Sequence, residues 1–138
     1  MKLLRNLPKV DAVLKDMDIR NAIAIDTGEL VILSGFAGVN IETASLIVDG
    51  SIEDHINGSL DCYAYILAHL GLSFDNVVKV NCFLADPVAD FPAWNEIFKS
   101  RFNAPHPCRT TVGAPLVVGR IEIEFLVAKA SRLEAEIV

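Results

Sequence analysis

The sequence is short of several devices that would give its function away. Its three cysteines, Cys62, Cys82 and Cys108, are odd in number and widely spaced, with no CxxC and no Cys/His cluster. That pattern excludes a disulfide framework and a structural zinc site, and it fits reduced thiols in a cytoplasmic protein. Cys108 is expected to be a buried, inert thiol, since strand alternation sends it and its neighbour Arg109 to opposite faces. His55, His69 and His106 have no mutual spacing that builds a metal centre. No stretch approaches about 18 consecutive apolar residues, so no membrane span is expected. The start, MKLLRNLPKVDAVLKDMD, lacks both a continuous apolar core and a small-residue cleavage site, so a secretory leader is not expected either. Basic charge is scarce as well. Twelve Lys and Arg against 18 Asp and Glu give a net charge of −6 and a pI near 4.9, the wrong sign for a nucleic-acid footprint.

What the chain has in abundance is apolar surface. Of its 138 residues 52% are hydrophobic and only 22% charged, with a mean hydropathy of +0.41. The length suits one domain, 1–138, with a core of its own, and the apolar excess points to a subunit interface. Two apolar runs around Thr27-Gly28 predict a β-hairpin ending at Ser34-Gly35, and a short strand follows at ASLIV. Apolar residues at Ile52, Ile56, Leu60, Tyr63, Leu67 and Leu70 predict a helix stopped by Gly71. NVVKVNCFLAD reads as a strand, and FPAWNEIFKSRF as a second helix capped by Asp90 with Pro92 near its start and Trp94 and the phenylalanines as core. The closing segment PHPCRTTVGAPLVVGRIEIEFLVA reads as two antiparallel strands joined by a tight turn. The result is an α+β domain with two helices on one face of a sheet, and another subunit is the expected cover for the other face.

Charged residues stand out in that last pair of strands. Alternation along RIEIEFLVA puts Ile121, Ile123 and Phe125 on one face and Glu122 and Glu124 on the other, away from the helices. One reading makes Arg109, Arg120, Glu122 and Glu124 a solvated sheet face with weak ion pairs. The other makes Arg109 a planar fork for a substrate carboxylate, with a nearby glutamate as general base on a water.

Four stretches together resemble the RidA/YjgF/YER057c family: LVILSGFAGVN, the span from INGSLDCYAYILAHLG through ADPVADFPAWNEIF, APHPCRTTV, and RIEIEFLVA. The likeness runs from about residue 20 to 130, and its most specific part is Pro107-Cys108-Arg109 followed by the IEIE strand. Residues 1–19 and 131–138 are left as solvated or locally packed extensions. The resemblance implies a chorismate-mutase-like fold assembled as a homotrimer around a central β-barrel, with clefts between subunits. It further implies cofactor-free hydrolysis of enamines and imines of the 2-aminoacrylate type to 2-keto acids and ammonia. The family's carboxylate-binding arginine falls on Arg109, its water-activating glutamate on Glu122, its Ser-Gly on Ser34 and Gly35, and its cleft asparagine on Asn95. The chain also departs from the pattern. Asn21 stands near the usual tyrosine, Phe36 replaces a polar residue after Ser-Gly, Thr111 replaces a cysteine, and the turn GAPLVVG is short. Phe36 and Thr111 are counted with the substrate-binding set alongside Arg109, Ser34, Gly35 and Asn95, and the pocket is expected to be reshaped. Two alternatives stay open: a trimer that binds 2-keto acids without catalysis, and another small-molecule reaction on the same scaffold, such as carbamate hydrolysis or an aminomuconate-type deamination. Whether Glu122 or Glu124 faces the cleft also stays open.

Overall fold

The computed structural model describes residues 1–138. The elements run β1 (Lys2–Leu4), α1 (Pro8–Asp16), β2 (Ala24–Asp26), β3 (Leu30–Leu33), β4 (Phe36–Ala37), β5 (Val39–Asn40), β6 (Ser45–Leu46), α2 (Ile52–His69), β7 (Val77–Leu84), α3 (Pro87–Arg101), β8 (Cys108–Gly113) and β9 (Ile121–Ala128). One seven-stranded sheet has the order β1-β2-β3-β9-β7-β8, with β4 also paired to β9, while β5 and β6 form a separate ribbon.

The helix over 52–69 follows from local chemistry. The Ser51 hydroxyl accepts from the Asp54 N–H at 3.1 Å and the Asp54 carboxylate accepts from the Ser51 N–H at 3.1 Å, a reciprocal cap worth about 1 kcal/mol. Gly71 ends it at φ +72°, where a side chain would be strained. Ile52, Ile56, Leu60, Tyr63 and Leu67 are buried as their spacing predicts, and Leu70 is half-buried. The next helix begins earlier than expected. Its cap is Asp86, whose carboxylate accepts from the Ala89 N–H at 3.1 Å, and Pro87 takes the first turn, where a missing N–H costs nothing. Asp90 is therefore not the cap. It is buried inside the first turn and accepts from Arg120 Nη2 at 2.9 Å, tying α3 to the start of β9.

The expected closing hairpin does not form. β8 runs parallel to β7, with Val80 beside Arg109, and β9 pairs antiparallel with the opposite edge of β7, with Val80 beside Phe125. The residues between β8 and β9 thus cross over β7, and Arg109 has no strand contact with the glutamates. Local pattern misses this because both arrangements satisfy the same alternation; only the neighbour chosen by β8 differs.

A register change of one residue separates the two places where the chain after Thr27 meets β9. Leu30 pairs with Ala128, but Phe36 pairs with Ile123, so Ser34-Gly35 holds one extra residue. This bulge switches the inward parity: Val31 and Leu33 face the core before it and Phe36 faces the core after it. All three helices help to bury a cluster of 28 residues with Tyr63, Trp94 and Phe125 among its largest members. On the sheet face turned from α2 and α3, Leu3, Leu30, Ile32 and Val112 stay exposed, so one chain leaves apolar area uncovered there.

Outside 20–130, the N-terminal segment and Arg132 are packed, while residues 133–138 stay exposed. β1 pairs with β2, and α1 inserts Val10, Val13 and Leu14 into the core, so the chain has a third helix that its N-terminal pattern did not announce. Near the other end Arg132 is buried. Its Nη1 donates to Phe74 O at 2.9 Å and Val77 O at 2.7 Å, its Nη2 to Asn103 O at 2.8 Å, and its Nε to Pro105 O. One guanidinium thereby fixes the entry to both β7 and β8. Arg132→Lys is expected to lower stability almost as much as Arg132→Ala, by about 2 to 3 kcal/mol in urea unfolding, because an ammonium has no planar fork to span these carbonyls. Full rescue by lysine would show that charge alone matters.

Candidate functional site

Arg109 lies on the edge strand β8 and turns toward α3. Its Nη2 donates to Asn95 Oδ1 at 2.8 Å, and its guanidinium carbon stands 4.4 Å from the Phe98 ring centre, 5.5 Å from Phe91 and 5.9 Å from Trp94. Helical spacing explains the cage. Phe91, Trp94, Asn95 and Phe98 fall at intervals of three and four, so they share the face of α3 that meets β8. Burial pulls the guanidinium pKa below its usual value. No carboxylate pairs with it, and its Nη1 is buried without a hydrogen-bond acceptor. A partly desolvated cation held by π faces and one amide oxygen keeps free capacity for an anion, and a planar carboxylate matches its fork. Thr111, two residues on and on the same strand face, accepts from Trp94 Nε1 at 3.0 Å and so fixes that ring.

Cys108 is exposed, not buried as expected, and belongs to the strand face away from Arg109. The thiols of Cys62 and Cys82 are the inert ones, each pushed up to about 12 by burial.

Glu122 occupies a second cluster. It is exposed on β9, opposite Phe83 on one side and Ala37 on the other, and the side chain lies across Gly35: a Cβ built there would come within 3.2 Å of its Oε1. Glycine at 35 is what lets a carboxylate rest on this backbone. The bulge itself is pinned from below. The Tyr63 hydroxyl donates to Ser34 O at 2.6 Å and also approaches Ile123 O, while Ser34 Oγ donates to Ala22 O at 2.6 Å and Ser59 Oγ to Phe36 O at 2.9 Å. Burial drives the Tyr63 pKa well above the usual phenol value, so it stays a neutral donor. Glu124 differs from Glu122 in having a partner, accepting from Asn81 Nδ2 at 3.0 Å.

Two groups of predicted site residues are thus each brought together by the fold, Arg109 with Asn95 and Thr111, and Glu122 with Ser34, Gly35 and Phe36. The groups do not meet in one chain. β7 separates their strands, which puts the strand axes about 10 Å apart, and the two side chains leave opposite faces of the sheet.

Comparison with known proteins places this architecture. Residues 20–129 match the family model described as Endoribonuclease L-PSP. The chain belongs to the RidA/YjgF family. It is 35% identical over 106 residues to the 2-iminobutanoate/2-iminopropanoate deaminase of Dermatophagoides farinae, covering 75% of this chain and 81% of that protein. Protein mmf2, mitochondrial, of Schizosaccharomyces pombe is 36% identical over 111 residues, covering 77% and 85%. The crystal structure of RidA from the Antarctic bacterium Psychrobacter sp. PAMC 21119 superposes with a TM-score of 0.70 at 30% identity, covering 78% of this chain and 87% of that one. No helix is long and apolar enough to cross a membrane. One hollow is lined by Asn21, by Phe36 and by residues 116–118 of the turn before β9. Thr111 lies apart, on the Trp94 side.

Two substitutions probe the glutamate side of the site. Gly35→Ala is expected to displace the Glu122 carboxylate while shifting the unfolding midpoint little, and a crystal structure of the variant reads the displacement directly. Tyr63→Phe leaves two buried carbonyls short of a donor and is expected to cost about 1 to 3 kcal/mol, read as a lower urea midpoint at constant m.

Proposed function

We propose that this protein hydrolyses 2-imino acids, or the enamines in tautomeric equilibrium with them, to 2-keto acids and ammonia. One observation carries the reading: a partly buried guanidinium, caged by Phe91, Trp94 and Phe98, with no acidic partner of its own. The names of its relatives support the same chemistry, since the deaminase of Dermatophagoides farinae is named for 2-iminobutanoate and 2-iminopropanoate.

The proposed chemistry is simple. Arg109 grips the substrate carboxylate, and Asn95 holds the guanidinium in plane through the bond to Nη2. The iminium carbon is already electrophilic, so little more than positioning and proton transfer is required. Glu122 removes a proton from a water as its oxygen bonds to that carbon. The nitrogen of the resulting carbinolamine takes up that proton, the C–N bond breaks to release ammonia, and the hydroxyl oxygen becomes the carbonyl as its proton passes through Glu122 to the ammonia, giving ammonium. Water and iminium together supply every atom of the keto acid and the ammonium ion, and no cofactor or metal is called for.

Arg109 and Glu122 stand on opposite faces of one sheet, so a site that uses both is built between two copies. The uncovered apolar face, with Leu30, Ile32 and Val112 exposed, supplies an interface of the kind a homotrimer with a central β-barrel needs. Ser34 and Gly35 then bring the bulged backbone to the substrate beside Glu122, with Phe36 and Thr111 shaping the walls. The acidic balance, net −6, sets nucleic acid aside as a partner. The cytoplasm is the proposed location, although the relative from Schizosaccharomyces pombe is named as mitochondrial.

Imines generated in situ by an amino-acid oxidase test the reading. The protein is expected to speed ammonia release, with Arg109→Ala and Glu122→Gln each lowering kcat/KM by about 100-fold or more, and to sediment as a trimer. Rates equal to buffer for every imine, with saturable 2-keto-acid binding retained, would convert the protein into a binding module.

A further inference from the structure

The hollow that contains Glu122 has walls of an unusual kind for a site handling small charged molecules. Its volume is about 110 Å³, and 11 of its 14 lining residues are hydrophobic. One wall comes from the N-terminal segment: Val13, Leu14 and Met17 at the end of α1, and Ile19 beyond it. The facing wall is Leu116, Val117 and Val118 from the turn before β9. Gly35, Phe36 and the Glu122 carboxylate close one end, at the edge of β4 where no further strand pairs. The first of these walls precedes residue 20, where the match to the family model begins. A wider neighbouring hollow of about 450 Å³, which shares Leu14, Ile19 and Asn21 with the first, is lined mainly by charged and polar side chains, Arg5, Asp11, Lys15 and Arg20 among them, and does not reach Glu122.

Resting on the imine-hydrolysis reading, the geometry points to this hollow as the subsite for the substrate's side chain, which selects 2-imino acids with branched aliphatic side chains. The chemistry is that of a pocket with a single polar end. A reacting carbon placed at Glu122 has the polar carboxylate and water on one side and only apolar walls on the other. An engineered apolar cavity of about 150 Å³ takes up benzene, whereas one water needs only about 10 to 15 Å³. A space of about 110 Å³ therefore lies near a four-carbon aliphatic group, leaves a lone methyl under-filled, and is tight for an aromatic ring. Each additional methylene in such a pocket is worth roughly 10-fold or more in kcat/KM. A segment lying before the matched region, α1, then sets which imines this chain prefers.

Two arms test this and separate it from its parent. In the kinetic arm, the imines derived from leucine, alanine and phenylalanine are compared. The leucine-derived imine is expected to exceed the alanine-derived one in kcat/KM by tenfold or more, and that ratio is expected to fall at least tenfold in Val118→Phe and in Met17→Phe, two variants that fill the hollow from opposite walls and whose folding is checked by circular dichroism. In the binding arm, calorimetry compares 4-methyl-2-oxopentanoate with pyruvate and is expected to show the same order. Turnover with no size preference, or a preference that both filled variants keep, overturns the subsite and leaves the hydrolase reading intact. Size-selective keto-acid binding without turnover supports the subsite while overturning hydrolysis. Neither turnover nor binding overturns both.

Discussion

β7 accepts β8 along one edge and β9 along the other, and the position of each candidate functional group follows from that choice. Because side chains alternate along a strand, residues paired across β7 share a face, and residues one step out of phase do not. Arg109 stands level with Val80 and turns to the helices; Glu122 stands level with Phe83 and turns away from them. Had β8 folded back on β9 as a hairpin, the arginine and the glutamates would have competed for one another as a surface ion pair of small worth. The crossover over β7 keeps the cation without an anion and the carboxylate without a cation. Both are then left without a partner inside the chain.

The cation is held by the fold at some cost. Taking a guanidinium partly out of water is unfavourable, and the aromatic faces of α3 with a single amide acceptor offset only part of that. The same helix is anchored at its first turn by Asp90 to Arg120 and at its N-terminus by Asp86, so the cage is fixed at several points along α3. On the opposite side, Tyr63 reaches from α2 through the core to the bulge at Ser34, which places Gly35 under Glu122. The two clusters are thus supported from different helices and meet no common residue.

Much of the local organisation was legible from residue order. The apolar stripe from Ile52 to Leu70, the stop at Gly71, the hairpin around Gly28 and the alternation of the IEIE strand all depend on chemistry within a few residues, and each appears where the pattern put it. The start of α3 was misread because Asp90 and Asp86 both carry the side chain a cap needs, and only the buried contact with Arg120 distinguishes them. Residues 1–19 were read as an extension because α1 is short and its apolar stripe, Val10, Val13 and Leu14, gains meaning only against a core assembled from later segments. Arg132 gave no signal at all, since its four carbonyl partners lie between about 25 and 60 residues away in sequence.

By itself, the sequence determined the class of the domain, its acidic character, the family to which it belongs, and the presence of the arginine and the glutamates that make up the candidate site. Tertiary structure alone decided that β8 lies parallel to β7, that Arg109 and Glu122 leave opposite faces, and that α1 closes the apolar hollow beside the glutamate. The reason is physical. Periodicity encodes which face of an element is apolar, but not which partner that face or edge will meet, and the partner is selected by packing between segments remote in the chain.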